Sequence, residues 1–203
     1  MKILSVSDQV DQVFYRNPEE ERFTGLDLIL SCGDLAPEYL TFLTHTFKAP
    51  LLFVRGNHDL RYESKPPAGC LDIHARVVRF RGLNILGLEG SRWYNGGPHQ
   101  YTENQMRFTL WRTVPHIWWR RGLDLVITHA PPRFIHDAED PCHRGFKVFR
   151  RLIDKYQPRY FIHGHIHADF TDPEQRQTLV GRTKVINTYG HYLFETEDDR
   201  MAE

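Results

Sequence analysis

The chain has 203 residues, 40% of them hydrophobic and 26% charged, the make-up of an ordinary globular protein long enough to bury a core. Its 26 basic and 26 acidic side chains balance, so net charge gives no sign of a nucleic-acid track or an anionic membrane partner. The 3 cysteines, Cys32, Cys70 and Cys142, show no paired spacing, so neither a disulfide framework nor a thiolate zinc site is indicated.

Ile3 to Val6 reads as an apolar strand that delivers Ser7-Asp8. Asn17-Pro18-Glu19-Glu20-Glu21 has the form of a helix start, with Asn as cap, Pro first and acids in the first turn. A second strand, Leu26 to Leu30, stops at Ser31-Cys32-Gly33-Asp34. Leu35, Tyr39, Leu40, Leu43 and Phe47 share a helical face, and Pro50 ends that helix before a third strand, Leu51 to Val54, which runs into Gly56-Asn57-His58-Asp59. This βαβαβ order predicts a right-handed parallel sheet, and open sheets of this kind bind ligands at the carboxyl ends of their strands.

Beyond Pro66-Pro67 the pairing is expected to turn antiparallel, with Arg76 to Phe80 and Leu83 to Leu88 as a hairpin about Arg81-Gly82. Gly90, Gly96 and Gly97 surround Arg92, Trp93 and Tyr94 in a long connection near where a ligand would sit. Thr102 caps a helix that reaches Arg121 and is interrupted or kinked at Pro115; its Phe108, Trp111, Trp118 and Trp119 are read as core. A strand from Leu123 to Ile127 yields Thr128-His129, a polar loop spans His136 to Arg144, and Phe146, Phe149, Leu152 and Ile153 mark another helix over 145–156. Tyr160 to Ile162 then presents His163-Gly164-His165-Ile166-His167. Thr178 to Val180, Lys184 to Asn187 and Tyr192 to Glu195 are expected to close the second sheet, with 195–203 as a frayed acidic end. No linker or repeat interrupts the chain, so residues 1–203 are expected to form a single domain. The N-terminus carries too short an apolar run for a signal peptide and no stretch could cross a bilayer, so the expected location is cytoplasmic.

Five apolar runs thus end at groups able to hold a cation. Asp8, Asp34, Asn57, His129, His165 and His167 offer carboxylate, amide oxygen and imidazole without thiolate, a set suited to Mn, Fe, Co, Ni or Zn. Six ligands exceed the needs of one open catalytic ion and match two ions roughly 3.5 to 4 Å apart that share a carboxylate.

Asp8, Gly33-Asp34, Gly56-Asn57-His58-Asp59, Thr128-His129 and Gly164-His165-Ile166-His167, in this order, resemble the calcineurin-like metallophosphoesterase family. The resemblance implies an α/β fold, a four-layer α/β/β/α sandwich of two mixed sheets flanked by helices, around a dinuclear site with Mn as the first choice of metal. It implies that Asp34 bridges the ions, that Asp8 and His167 serve the first, and that Asn57, His129 and His165 serve the second. His58 would orient the phosphate and protonate the leaving oxygen, with Asp59 or a backbone group fixing its tautomer; His163 is assigned to core or to supporting the ligands. The implied activity is hydrolysis of a phosphomonoester or phosphodiester by metal-activated hydroxide, on a small phosphate ester or a nucleotide.

Two departures stand out. The family's usual Asp-x-His is here Asp8-Gln9-Val10, so an apolar side chain replaces one imidazole of the first ion, with Asp11, Gln9 or His143 as substitutes. Asp34-Leu35-Ala36-Pro37 lacks the further Asp and Arg that many members carry, leaving Arg55, Arg92, Arg133 and Arg144 as sources of positive charge for phosphate. The alternative is a catalytically weak metal-binding scaffold of the same fold that docks a partner through Trp111 to Trp119. Oligomeric state is left open by the sequence.

Overall fold

Successive residues of each strand enter different layers, and this alternation organises the computed structural model, in which residues 1–196 are described. The elements are β1 (Lys2–Ser7), α1 (Val13–Arg16), β2 (Leu28–Ser31), α2 (Pro37–Phe47), β3 (Leu51–Phe53), β4 (Cys70–Asp72), β5 (Arg76–Phe80), β6 (Leu83–Leu88), β7 (Ser91–Arg92), β8 (Gln100–Tyr101), α3 (Glu103–Trp119), β9 (Leu125–Thr128), α4 (Lys147–Tyr156), β10 (Tyr160–His163), β11 (Gln177–Val180), β12 (Thr183–Asn187) and β13 (Gly190–Glu195). One sheet has the order β13-β1-β2-β3-β4 and is parallel except for β13; the other, β11-β12-β10-β9-β6-β5, is parallel at its centre with antiparallel edges.

Ile3, Leu28 and Leu30 from the first sheet meet Ile85, Leu125, Ile127, Ile162 and Ile186 from the second in the layer between them. Their strand neighbours Leu4, Ile29 and Leu51 face the other way, onto Leu40 and Leu43 of α2. Leu86, Val126, Phe161 and Val185 likewise turn outward onto Met106 and Leu110 of α3 and Phe149 and Leu152 of α4. Two mixed sheets are therefore sandwiched between helices, as the family resemblance implied.

Four local readings are corrected. Asn17 ends a helix instead of starting one, its N–H donating to the Val13 carbonyl; Phe14 and Phe23 are both buried with ring centroids 4.9 Å apart, so the acidic run between them has to loop out and back. β4 was not anticipated and extends the first sheet in parallel beside β3. β13 closes the first sheet, pairing Lys2 with Glu195 on the far side of β1, so only β11 and β12 join the second. Glu195 is accordingly strand, and the Thr196 N–H donates to the Met1 carbonyl at 2.8 Å; the rest of the expected frayed end, 197–203, lies outside the described residues.

The fourth correction concerns α3. Thr102 does cap it, in a capping box with Gln105, and the helix runs through Pro115 without interruption. Met106, Leu110, Thr113 and Ile117 fill its inner face, which leaves the aromatic residues outside: Phe108, Trp111, Trp118 and Trp119 are 59%, 66%, 82% and 72% exposed.

Candidate metal centre

The carboxyl ends of β1, β2, β3, β9 and β10 bring Asp8, Asp34, Asn57, His129 and His165 to one edge shared by both sheets. The turn that each strand makes there is tight. Asp8, Asp34 and His165 have φ of 62°, 56° and 67°, in the left-handed region that costs a non-glycine residue about 1–3 kcal/mol. Glycine is demanded where two loops touch: a Cβ on Gly56 would stand 2.5 Å from Asp34 Cγ, and one on Gly164 would stand 2.5 Å from Asp8 Oδ2.

Backbone carbonyls set the imidazole tautomers. His129 Nδ1 lies 2.8 Å from the Cys32 carbonyl and His165 Nε2 lies 2.8 Å from the Cys142 carbonyl; a carbonyl can only accept, so those nitrogens carry the hydrogens. The other two ring nitrogens, His129 Nε2 and His165 Nδ1, then present lone pairs to each other at 3.0 Å. Asn57 Oδ1 is 3.1 Å and Asp34 Oδ2 is 3.3 Å from the same His129 nitrogen. Asn57 is oriented by its amide group, which donates to the Tyr94 hydroxyl at 3.3 Å. Four acceptors facing one point repel one another unless a cation or a proton lies between them. The atoms of Asp34, His129 and His165 fall within 4.8 Å of one another, a grouping able to hold a metal ion.

In the protein alone a proton takes that place. Burial disfavours charge on His129, but the Asp34 carboxylate overrides it and raises the imidazole to about 9. Asp34 is held far below the usual carboxylate range by the same pair, against its burial. Burial, reinforced by the His129 cation, lowers His165 to about 4.

The remaining predicted residues divide clearly. Asp8 Oδ2 accepts the His165 N–H at 2.9 Å, whereas its buried Oδ1 has no hydrogen-bond partner, an orphaned oxygen that a cation would satisfy. His167 Nε2 stands 3.5 Å from that oxygen on a 62% exposed side chain stacked on Tyr189. Val10 packs against the core cluster of Leu4 and Phe14 and offers nothing. Asp11 is drawn away from the site, its carboxylate bonded to His191 Nδ1 at 2.6 Å and to the Val13 N–H at 3.0 Å. His143 is nearer, its ring centroid 5.4 Å from that of His165, with Nδ1 held by Asp140 at 3.0 Å.

The four arginines are engaged elsewhere. Arg92 faces Glu103 at 3.4 Å, Arg144 donates to the Glu139 carbonyl at 2.6 Å, Arg133 clasps Asp137 and Glu139, and Arg55 lies 3.3 Å from Asp72. His58 is exposed and lines a pocket of about 230 Å³ with Asp34, Leu35 and Tyr62, while its N–H donates to Asp34 Oδ1 at 2.8 Å. Asp59 does not orient that imidazole. Its carboxylate accepts from the N–H groups of Gly56 at 2.7 Å, Asp34 at 2.8 Å and Leu35 at 3.1 Å, so it binds the two ligand loops together. His163 is buried, donating from Nδ1 to the Gly164 carbonyl at 2.9 Å; its Nε2 accepts from His136 Nδ1 at 2.9 Å, and His136 Nε2 accepts from Thr178 at 2.8 Å. That chain, and the Cys32 and Cys142 carbonyls, were not foreseen: a backbone oxygen has no residue-type signature.

A family model described as calcineurin-like phosphoesterase matches residues 5–169. The chain belongs to the calcineurin-like phosphoesterase family. It is similar to an uncharacterised protein of Haemophilus influenzae, 28% identical over 173 residues that cover 73% of this chain and 76% of that one. Human metallophosphoesterase domain-containing protein 1 is 26% identical over 104 residues, half of this phosphoesterase-family chain (50%) but only 30% of the human protein. The crystal structure of TT1561 from Thermus thermophilus shares the fold, with a TM-score of 0.64 at 14% identity over 93% of this chain and 89% of that chain. No helix among the described residues is long and apolar enough to cross a membrane.

Proposed function

We propose that this chain is a metal-dependent phosphoesterase that hydrolyses a small phosphomonoester or phosphodiester, with a nucleotide among the substrates that fit. The observation that carries the reading is the convergence of lone pairs from Asp34, Asn57, His129 and His165, with tautomers already fixed by backbone carbonyls. Asp34, Asn57, His129 and His165 would hold one divalent ion tightly. Asp8, Asp34 and His167 would hold a second more weakly, because Val10 supplies no ligand and His167 is exposed. Manganese is the first choice, and iron, zinc, cobalt and nickel suit the same donors. Divalent ions there would polarise a phosphoryl oxygen and make water nucleophilic at neutral pH.

The protein's own groups would do the rest. His58, at the open rim beside Asp34, is placed to donate a proton to the departing oxygen, and the Asp34 contact with its N–H holds that segment in position. Tyr94 accepts from Asn57 Nδ2 and also faces the Cys142 side chain, so it would steady the amide ligand at the edge of the site. The exposed aromatic face of α3 favours a second reading, a weakly catalytic scaffold. Elemental analysis of freshly purified protein, with hydrolysis of a chromogenic diester and a monoester after manganese addition, separates the two. One to two ions per chain with turnover supports the enzyme; no hydrolysis of either ester with any divalent metal overturns it.

A further inference from the structure

Helix α3 carries two apolar seams. Met106, Leu110, Thr113 and Ile117 face the core. Phe108, Trp111, Pro115 and Trp118, alternating at three- and four-residue spacing, repeat the same period on the opposite, solvent-facing side, with Trp119 alongside. A second seam of this period is the pattern of a helix that expects another helix. Taking about 200 Å² for a large aromatic side chain, the exposed fractions of Phe108, Trp111, Trp118 and Trp119 leave roughly 550 Å² of ring surface in water. Two such faces brought together would cover at most roughly 1,100 Å² from these rings, which reaches the roughly 1,000 Å² expected of a specific interface.

We propose that this face is a two-fold interface between two copies of the chain, with α3 lying antiparallel on its counterpart level with Thr113. A two-fold interface has to be self-complementary, and an axis level with residue 113 sets exposed apolar positions 108 and 118, and 111 and 115, against one another. Phe108 meets the partner's Trp118, Trp111 meets the partner's Pro115, and Arg107 reaches the partner's Trp119. The first pair stacks aromatic rings, and the last places a guanidinium on an indole face. Arg120 already sits over the Trp119 ring of its own chain at 5.4 Å. From Asn104 to Arg121 the chain has no carboxylate, so cations here have aromatic faces and not acids to meet. Such an interface depends on burial rather than on ion pairs, so salt leaves it intact, whereas salt would release an anionic membrane or polyanion.

Sedimentation velocity of the full chain over a concentration series reads this directly. The expected species at high concentration has twice the chain mass of 24.0 kDa, at low and at high salt alike. Trp111→Ser with Trp118→Ser should weaken the dimer on the order of a hundredfold, as loss of two buried anchors does, with metal uptake unchanged because neither residue touches the metal site. Arg112→Cys, one residue from the two-fold axis, should give a chain-to-chain product with a short bismaleimide that wild type does not form. A monomer at every concentration, a dimer indifferent to the double substitution, or failure of Arg112→Cys to cross-link would each overturn the proposal. If the double variant is shown by circular dichroism to be misfolded, the cross-link alone decides.

Discussion

Replacing Gly56 by Ala tests whether the close approach of two loops holds the centre together. Gly56 has no positive φ, so alanine adds no backbone strain and the effect is one of space alone. The added Cβ would overlap the Asp34 carboxylate, standing 2.5 Å from its Cγ and 2.7 Å from its backbone nitrogen, against an ordinary contact near 3.5 Å or more. Asp34 has to retreat by about 1 Å, yet it is pinned by the His58 N–H at 2.8 Å and by Asp59, which clamps both loops. Overpacking of this kind costs about 1–3 kcal/mol, or a melting temperature lower by roughly 2–12 °C in a chain of this size. Displacing a shared carboxylate should also weaken manganese binding by on the order of ten- to a hundredfold. Calorimetric titration and thermal melts of the variant beside the unaltered chain read both effects. Unchanged metal affinity and an unchanged melt would refute the crowding argument.

Other outcomes follow from the same geometry. His58→Ala should keep fold and metal content while turnover drops by about a hundredfold or more, in steady-state kinetics on the better ester; turnover equal to wild type would remove His58 from the chemistry. Metal entering the main cluster has to displace the proton held by His129, raised to about 9, so manganese affinity should climb about tenfold per pH unit towards that value and calorimetry near pH 7 should find about one proton released. An affinity flat between pH 6 and 8, near the ordinary imidazole range, would sink this account. Val10→His should tighten the weaker ion, read as a gain in manganese stoichiometry at low free metal; no gain would mean that position 10 does not face that ion. His136, lowered to about 4 by burial, is neutral when folded and charges on unfolding below about 6.5. The unfolded chain therefore binds the extra proton, stability falls as pH drops from about 6.5 to about 4 by at most about 3 kcal/mol, and His136→Gln should flatten that slope in urea melts.

Much of the fold was legible because the strands obey a two-residue period and each central one ends at a chemically distinctive residue. Ile3 and Leu4, or Ile85 and Leu86, announce two buried faces by being apolar in succession, and that is how a strand inside a layered sandwich reads. Partners are not written in the same way. β13 is a strand of ordinary sequence, and only its register against β1 shows which sheet it completes. The acidic turn at Asn17 imitates a helix cap, and two buried phenylalanines on either side overrule it. The aromatic residues of α3 mislead for a third reason: periodicity places them on one face, but which of two apolar faces turns inward depends on the sheet beneath, and Met106, Leu110 and Ile117 occupy that side.

Within the metal centre the division is similar but sharper. Candidate side-chain ligands can be read from residue type; the atoms that aim them cannot. The Cys32 and Cys142 carbonyls fix which nitrogen of His129 and His165 is free, so replacing either cysteine by serine would leave that control in place. A carboxylate such as Asp59 reads as a partner for the adjacent histidine, yet three backbone N–H groups lie closer to hand and together hold its charge better than one exposed imidazole could. The same competition explains the arginines. Glu103, Glu139, Asp137 and Asp72 are permanent neighbours, whereas a phosphate visits, so a guanidinium already paired with them gives up an ion pair before it meets a substrate. On the proposed function, positive charge for the phosphate would have to come from bound metal, and this would make the occupancy of the weaker ion, beside Val10, the quantity on which turnover should depend most steeply.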